Sequence, residues 1–251
     1  PAMNKISRLR FFKMALAGVF FAPGLAVLGQ GMDQLRGDRV GWARLKTSSP
    51  SWMRHAGSDP LLMKFFREQT TLNIEPNWYK AEAGDLADLC KYPFLFSQGV
   101  AVISDPVARG NVVEFIRRGG FLMIDACCDH RVTPDFDEFL RQQIGFFSAM
   151  MPEVQVVSLP ATHEIYRCHF QIPNGQPPHT YMAGIFEERK SHYGLYGVMI
   201  GSRMAGVISL SGLQCGWDHV TEHPCVAPPG HDVACMKMLV NIYIYAMTQG
   251  N

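Results

Sequence analysis

The chain has 251 residues, 47% of them hydrophobic and 18% charged, with 23 basic side chains against 22 acidic ones. That composition supplies a sizeable core and excludes intrinsic disorder, while the near-zero net charge removes the basic footprint that phosphate neutralisation requires, so nucleic acid is not an expected partner. No glycine period, no heptad run and only one long apolar segment occur, which excludes collagen-like, coiled-coil and multi-span membrane classes and leaves an α/β or α+β domain.

Met3 to Leu28 opens with Lys5, Arg8, Arg10 and Lys13 and then runs almost purely apolar from Met14. A basic start followed by an apolar run is the pattern of a secretory signal peptide. The run is shorter than the ~20 residues of a spanning helix, and an uncleaved membrane anchor is the alternative. Residues 1–29 are thus expected to be a signal peptide or N-terminal tether, and residues 30–251 a single domain of a periplasmic or secreted protein. Export would expose the seven cysteines to oxidation, and their odd number leaves at least one outside any intrachain pairing.

After the leader, Val40 to Leu45 reads as a strand and Thr47 to Ser51 as loop. Asp59-Pro60 opens a helix, with Asp as the cap for the free N–H groups and Leu61, Leu62, Phe65 and Phe66 on its inward face. A short helix at Asp85 to Leu89 precedes a buried strand, Phe94 to Ser97. Asp105-Pro106 caps the next helix, whose apolar positions are Val112, Val113, Phe115 and Ile116 and whose stop is Gly119-Gly120. Phe121 to Ile124 is apolar without alternation, as in a central strand covered on both faces. Phe136, Phe139, Leu140 and Ile144 mark a further helix and Val154 to Leu159 a strand. This alternation predicts a largely parallel sheet between helices. Extra strands then follow at Gly184 to Glu188, Tyr196 to Ile200 and Gly206 to Leu210, before a final helix over His231 to Met247.

Two polar clusters follow apolar strands, the place where open α/β sheets present ligand-binding edges. One is Asp125-Ala126-Cys127-Cys128-Asp129-His130; the other is Cys215-Gly216-Trp217-Asp218-His219, with His223, Cys225, His231, Asp232 and Cys235 beyond it. Asp125, Cys127, Asp129, Trp217 and Asp218 are the candidate ligand-binding residues. Carboxylate, thiolate and imidazole converging from both clusters would hold zinc or another soft to borderline metal, with Cys127, Cys128, His130, Cys215 and His219 as its candidate ligands. The same residues also suit a packed core, because cysteine is commonly buried and Trp217 is large enough to close one. A structural disulfide between Cys215 and Cys225 is a third outcome. Asp125 stands apart, since a carboxylate directly after a doubly covered strand must be hydrogen-bonded to tolerate burial. Neither phosphate-cradling glycine loop nor Gly-x-Ser-x-Gly elbow is present.

Tyr92-Pro93-Phe94-Leu95 with Gly99, Arg118-Gly119-Gly120-Phe121-Leu122-Met123-Ile124-Asp125, Phe136-Asp137, Cys215-Gly216-Trp217, Asn241-Ile242 and Tyr245-Ala246 occur in that order. Together they resemble the bacterial domain-of-unknown-function 4159 family, from about Val40 to Thr248. The resemblance implies a Rossmann-like or flavodoxin-like three-layer sandwich related to class I glutamine amidotransferases, in exported or membrane-tethered proteins, without an established activity. Two acids often follow the strand in that family; here Ala126 and Cys127 follow Asp125. An amidotransferase thiol would need a Gly-x-Cys-x-Gly elbow, and none of the cysteines has one. The expected role is therefore binding of a small molecule or an envelope protein partner at the strand ends. The alternative is a metal-assisted or thiol-dependent hydrolase built on Asp125 and the Cys/His cluster.

Overall fold

A computed structural model of the chain describes residues 39–129, 131–172, 175, 194–218 and 230–248. The leader and the strand expected at Gly184 to Glu188 lie outside them. Seven strands form one sheet in the order β2-β1-β3-β4-β7-β6-β5. They are β1 (Val40–Lys46), β2 (Ile74–Glu82), β3 (Phe94–Ser97), β4 (Phe121–Asp125), β5 (Val154–Ser158), β6 (Leu195–Ile200) and β7 (Arg203–Ser209). The first five in that spatial order, β2 through β7, pair in parallel, whereas β6 runs antiparallel to both β7 and β5. Among the described residues six α-helices accompany them: α1 (Asp59–Gln69), α2 (Leu86–Leu89), α3 (Pro106–Arg117), α4 (Phe136–Met150), α5 (Leu213–Trp217) and α6 (His231–Thr248).

Why an apolar run without alternation still has two distinct faces is visible in the core. Successive strand side chains point to opposite sides. Trp42, Phe94, Phe96, Phe121 and Met123 meet Leu62, Met63 and Phe66 of α1 and Leu239 and Tyr243 of α6. Ala43, Leu45, Leu95, Leu122 and Ile124 meet Val112, Phe115 and Ile116 of α3 and Phe146 and Phe147 of α4. Aromatic side chains thus fill one layer and mostly aliphatic ones line the sheet on the other, which makes the three-layer α/β arrangement expected from the sequence.

Three details differ from the sequence reading. The inward face of α1 is Leu62, Met63 and Phe66, while Leu61 is 41% exposed, because the helix is rotated to seat Met63. Strand β2 was absent from the reading; its Pro76, Asn77, Lys80 and Glu82 give it little apolar signal, as an edge strand tolerates. The late strand Arg203–Ser209 is no appendage, since it enters the centre of the sheet beside β4, and Val154–Ser158 is pushed to the far edge. Burial explains the exchange: β7 is covered along nearly its whole length, whereas β5 is largely exposed. No helix among the described residues is long and apolar enough to cross a membrane.

Gly206 lies opposite Leu122 in the β4–β7 pair, and a Cβ there would stand 2.3 Å from the Leu122 carbonyl oxygen. A backbone atom in a central ladder has nowhere to retreat. Gly206→Ala is expected to destabilise the domain by about 2 kcal/mol or more, read as a lowered urea midpoint; an unchanged midpoint would show that β4 and β7 separate without penalty.

Candidate metal centre

The spatial order β2-β1-β3-β4-β7 reverses chain direction across the sheet between β1 and β3, and open α/β sheets collect ligands outside the strand carboxyl ends near such a reversal. At that edge, the segment after β1 brings His55, the segment after β4 brings Asp125 to Asp129, and the segment after β7 brings α5 with Cys215.

His55 is placed by a buried ion pair. Arg44 on β1 and Asp59 at the start of α1 are both fully buried and meet through Nε–Oδ2 at 2.5 Å and Nη2–Oδ1 at 2.6 Å. The Trp42 indole donates to the same carboxylate at 2.9 Å. Asp59 therefore does not cap α1, as its Asp-Pro context suggests; Ser58 holds the cap position and makes no side-chain cap bond. The Asp85 and Asp105 caps do form, each accepting two N–H groups. The remaining guanidinium nitrogen of Arg44 donates to the Trp52 carbonyl at 3.2 Å and the Arg54 carbonyl at 3.0 Å, and the buried Gln214 amide adds a bond to Arg54 at 2.7 Å. Pinned from both sides, the chain passes through His55 in the left-handed region, φ 59°, which turns the ring toward the strand ends. Arg44→Met should destabilise the domain by about 3–5 kcal/mol, because Asp59 is left charged and alone in the core, and Arg44→Met with Asp59→Leu should recover part of that loss. Chemical denaturation of both variants tests this; equal stability of the two would rule out an uncompensated charge as the cause.

The His55 ring faces two ways. Its Nδ1 side bonds the Asp218 carboxylate, whose other oxygen accepts from the Ser58 hydroxyl. Its Nε2 side looks at two sulfurs, Cys127 Sγ at 3.9 Å and Cys215 Sγ at 3.8 Å, which are themselves 3.5 Å apart. Burial alone would lower the His55 pKa, but the Asp218 carboxylate and Cys127 outweigh it and raise the value to about 9. The Cys127–Cys215 contact and burial keep the Cys127 thiol protonated well above its ordinary range; Cys215 is raised likewise, by Cys128 and burial, although its contact with Cys127 acts the other way. Backbone N–H groups point at both sulfurs, from Asp129 to Cys127 at 3.5 Å and from Cys128 to Cys215 at 3.3 Å.

Such a triangle has the dimensions of a metal site. Zinc bonded tetrahedrally to sulfur and imidazole nitrogen separates the ligand atoms by about 3.8 Å for two sulfurs and about 3.6 Å for sulfur and nitrogen. Among the described residues, His55, Cys127 and Cys215 are the group whose ligand atoms converge in this way. The carboxylate behind the ring fits too, because a metal-bound histidine characteristically donates its other N–H to an acid, which sets the tautomer.

The other predicted site residues have different places. Asp125 accepts from the backbone N–H groups of Leu213 at 3.1 Å and Gln214 at 2.8 Å and thereby anchors α5, the carrier of Cys215. Burial raises its pKa to about 6, against the lowering effect of those N–H groups and Ser209. Asp129 is buried in a two-oxygen pairing with Arg131, with Arg54 3.7 Å away. Cys128 packs with Cys127 and Cys215 and is held close by Gly212, φ 63°, where a Cβ would lie 3.1 Å from Cys128 Cβ. Trp217 is fully buried against Trp42 and Phe96. Cys215 carries a free thiol, and Cys225, its partner in the bridge considered from the sequence, is not among the described residues. His130, His219, His223 and Cys225 lie outside the described residues. His231 and Cys235 touch at 3.4 Å on the first turn of α6, and among the described residues they join no three-ligand group. Sequence reasoning missed His55 altogether: it has no ligand spacing to either cysteine. The usable signal was its position between the first strand and the Asp-Pro helix start.

Asp125 generates a pH test. Its folded pKa lies above the ordinary 3.8, so its contribution to stability is complete below about pH 4 and is lost as pH rises through about 6. Relative to the wild-type chain, metal-free Asp125→Asn should therefore gain on the order of 3 kcal/mol across that window. Denaturation at pH 4 and 7 reads the difference, and parallel pH profiles would refute it.

Fold and site together define an α/β domain whose mostly parallel sheet carries a half-buried histidine, two buried thiols and a supporting carboxylate at its strand ends. Residues 42–247 match the family described as Domain of unknown function (DUF4159), and the chain belongs to that family. Comparison with curated proteins finds no match.

Proposed function

We propose that this domain is a metal-dependent hydrolase in which His55, Cys127 and Cys215 hold one zinc-class ion. The observation that carries the reading is the triangle of one nitrogen and two sulfurs, with edges of 3.5, 3.8 and 3.9 Å. Three protein ligands with a remaining position for water is the arrangement of catalytic rather than structural zinc. Bound there, the ion would lower the pKa of its water and polarise a substrate carbonyl or phosphoryl oxygen. The chain's own residues prepare the position: Asp218 fixes the His55 tautomer, Asp125 holds the helix carrying Cys215, and both cysteines are buried.

A thiol-dependent hydrolase has weaker support. Contact with Cys215 and burial keep the proton on Cys127, Cys128 and burial keep it on Cys215 against the opposing effect of Cys127, and neither has the glycine elbow that exposes a nucleophile. The layered sheet is compatible with the amidotransferase-like ancestry inferred from sequence, and the basic-then-apolar leader supports work in the periplasm or outside the cell.

Protein purified without chelator should carry about one zinc per chain, lost in His55→Ala, Cys127→Ser and Cys215→Ser and bound about 10–100-fold more weakly in Asp218→Asn. Elemental analysis and competition with a chromophoric chelator measure both. Cobalt substitution then separates the roles: a visible spectrum that shifts on adding azide means an exchangeable position, and an unshifted spectrum reduces the site to a structural one. A folded chain that takes up no metal would overturn the reading.

A further inference from the structure

The two sulfurs are closer to each other than either is to the ring that completes the site. Cys127 and Cys215 are 88 residues apart in sequence, yet their Sγ atoms stand 3.5 Å apart, and neither is in a disulfide. A bond between the sulfurs would close that contact to ~2 Å. Cys215 is the middle residue of the five-residue helix α5, and Cys127 lies two residues beyond the end of β4, so neither sulfur is carried inside a strand. Both are nearly buried, with 2% of Cys127 and 6% of Cys215 exposed.

We propose that Cys127 and Cys215 are a reversible dithiol–disulfide pair through which hydroperoxides switch the metal site off. The proposal rests on the metal reading above and adds its regulation. In the reduced chain both sulfurs are available as ligands. A hydroperoxide takes two electrons from the pair: one sulfur attacks the terminal peroxide oxygen, an S–O bond forms, the O–O bond breaks and the other oxygen leaves as water from hydrogen peroxide or as an alcohol from an organic hydroperoxide, giving a sulfenic acid. The second sulfur attacks the first, the S–S bond forms and the hydroxyl leaves as water. For hydrogen peroxide the sum is two thiols plus one peroxide giving one disulfide plus two waters. The two ligand sulfurs are consumed together, and His55 by itself retains no chelate, so the ion departs. A dithiol reductant returns two electrons and restores the site.

Zinc-loaded full-length chain treated with graded hydrogen peroxide tests this, with released zinc read by a chromophoric chelator, thiols titrated under denaturing conditions and cross-links mapped by peptide mass. The expected result is one zinc released per two thiols lost, a mass decrease of about 2 Da assigned to a Cys127–Cys215 link, and recovery of both zinc binding and thiols with dithiothreitol. Cys168→Ser, which alters an exposed cysteine bonded to the Asn241 carbonyl, should release zinc at the same peroxide dose. Zinc retained while other thiols react, a link to a different cysteine, or release accompanied by irreversible sulfinic acid would each overturn the switch and leave the metal reading standing. A chain that takes up no zinc in the loading step removes both.

Discussion

A charged pair sealed inside the sheet layer is the constraint on which the rest depends. Arg44 occupies a central strand at full burial, where an unpaired guanidinium would be intolerable. Asp59 supplies the countercharge, the Trp42 indole a second bond to that carboxylate, and Phe96 and Trp78 present ring faces 5.0 and 5.9 Å from the guanidinium carbon. Each of those contacts fixes geometry more than it adds stability, because a hydrogen-bonded ion pair tolerates little displacement. The two carbonyls that Arg44 also binds belong to the segment leading into His55, so core and site share one network.

Seen from that network, the candidate centre is built by three strands acting at once. The loop after β1 is tied to Arg44, the residues after β4 are drawn against Gly212, and α5 hangs from Asp125 at the end of β4. Asp125 contributes by holding a helix in place rather than by facing a ligand. Its burial, with a pKa raised to about 6, is offset by two backbone N–H groups that would otherwise lack partners at the start of α5. Position thus passes from charge pairing to backbone, and from backbone to the two sulfurs and the imidazole.

Chemically, the centre combines features that restrict what it does. Sulfur ligands favour zinc-class ions over magnesium or calcium, and a carboxylate-backed imidazole strengthens such binding. On the switch proposed above, the same sulfurs in mutual contact would make the set sensitive to two-electron oxidants. A ligand set that doubles as a dithiol ties metal occupancy to redox conditions, a link that a histidine or carboxylate set would lack.

Much of the fold was legible in local pattern. Apolar runs without alternation at Phe94 to Ser97 and Phe121 to Ile124 announced central strands, and the Asp-Pro and Gly-Gly signals bounded the helix between them, since these features depend on backbone chemistry within a few residues. The sequence alone also singled out Asp125, Cys127, Cys215 and Asp218, because polar residues after buried strands fall at the edge where such sheets expose their chemistry. What it lacked was the partner. His55 joins Cys127 across 72 residues and Cys215 across 160, and Asp59, capping by its local context, is claimed by Arg44 instead. Short-range preferences set which elements form and where they end. Only the tertiary structure decides which strand ends become neighbours, and therefore which side chains come within bonding distance, because strand order depends on burying two faces of one sheet and not on any local signal.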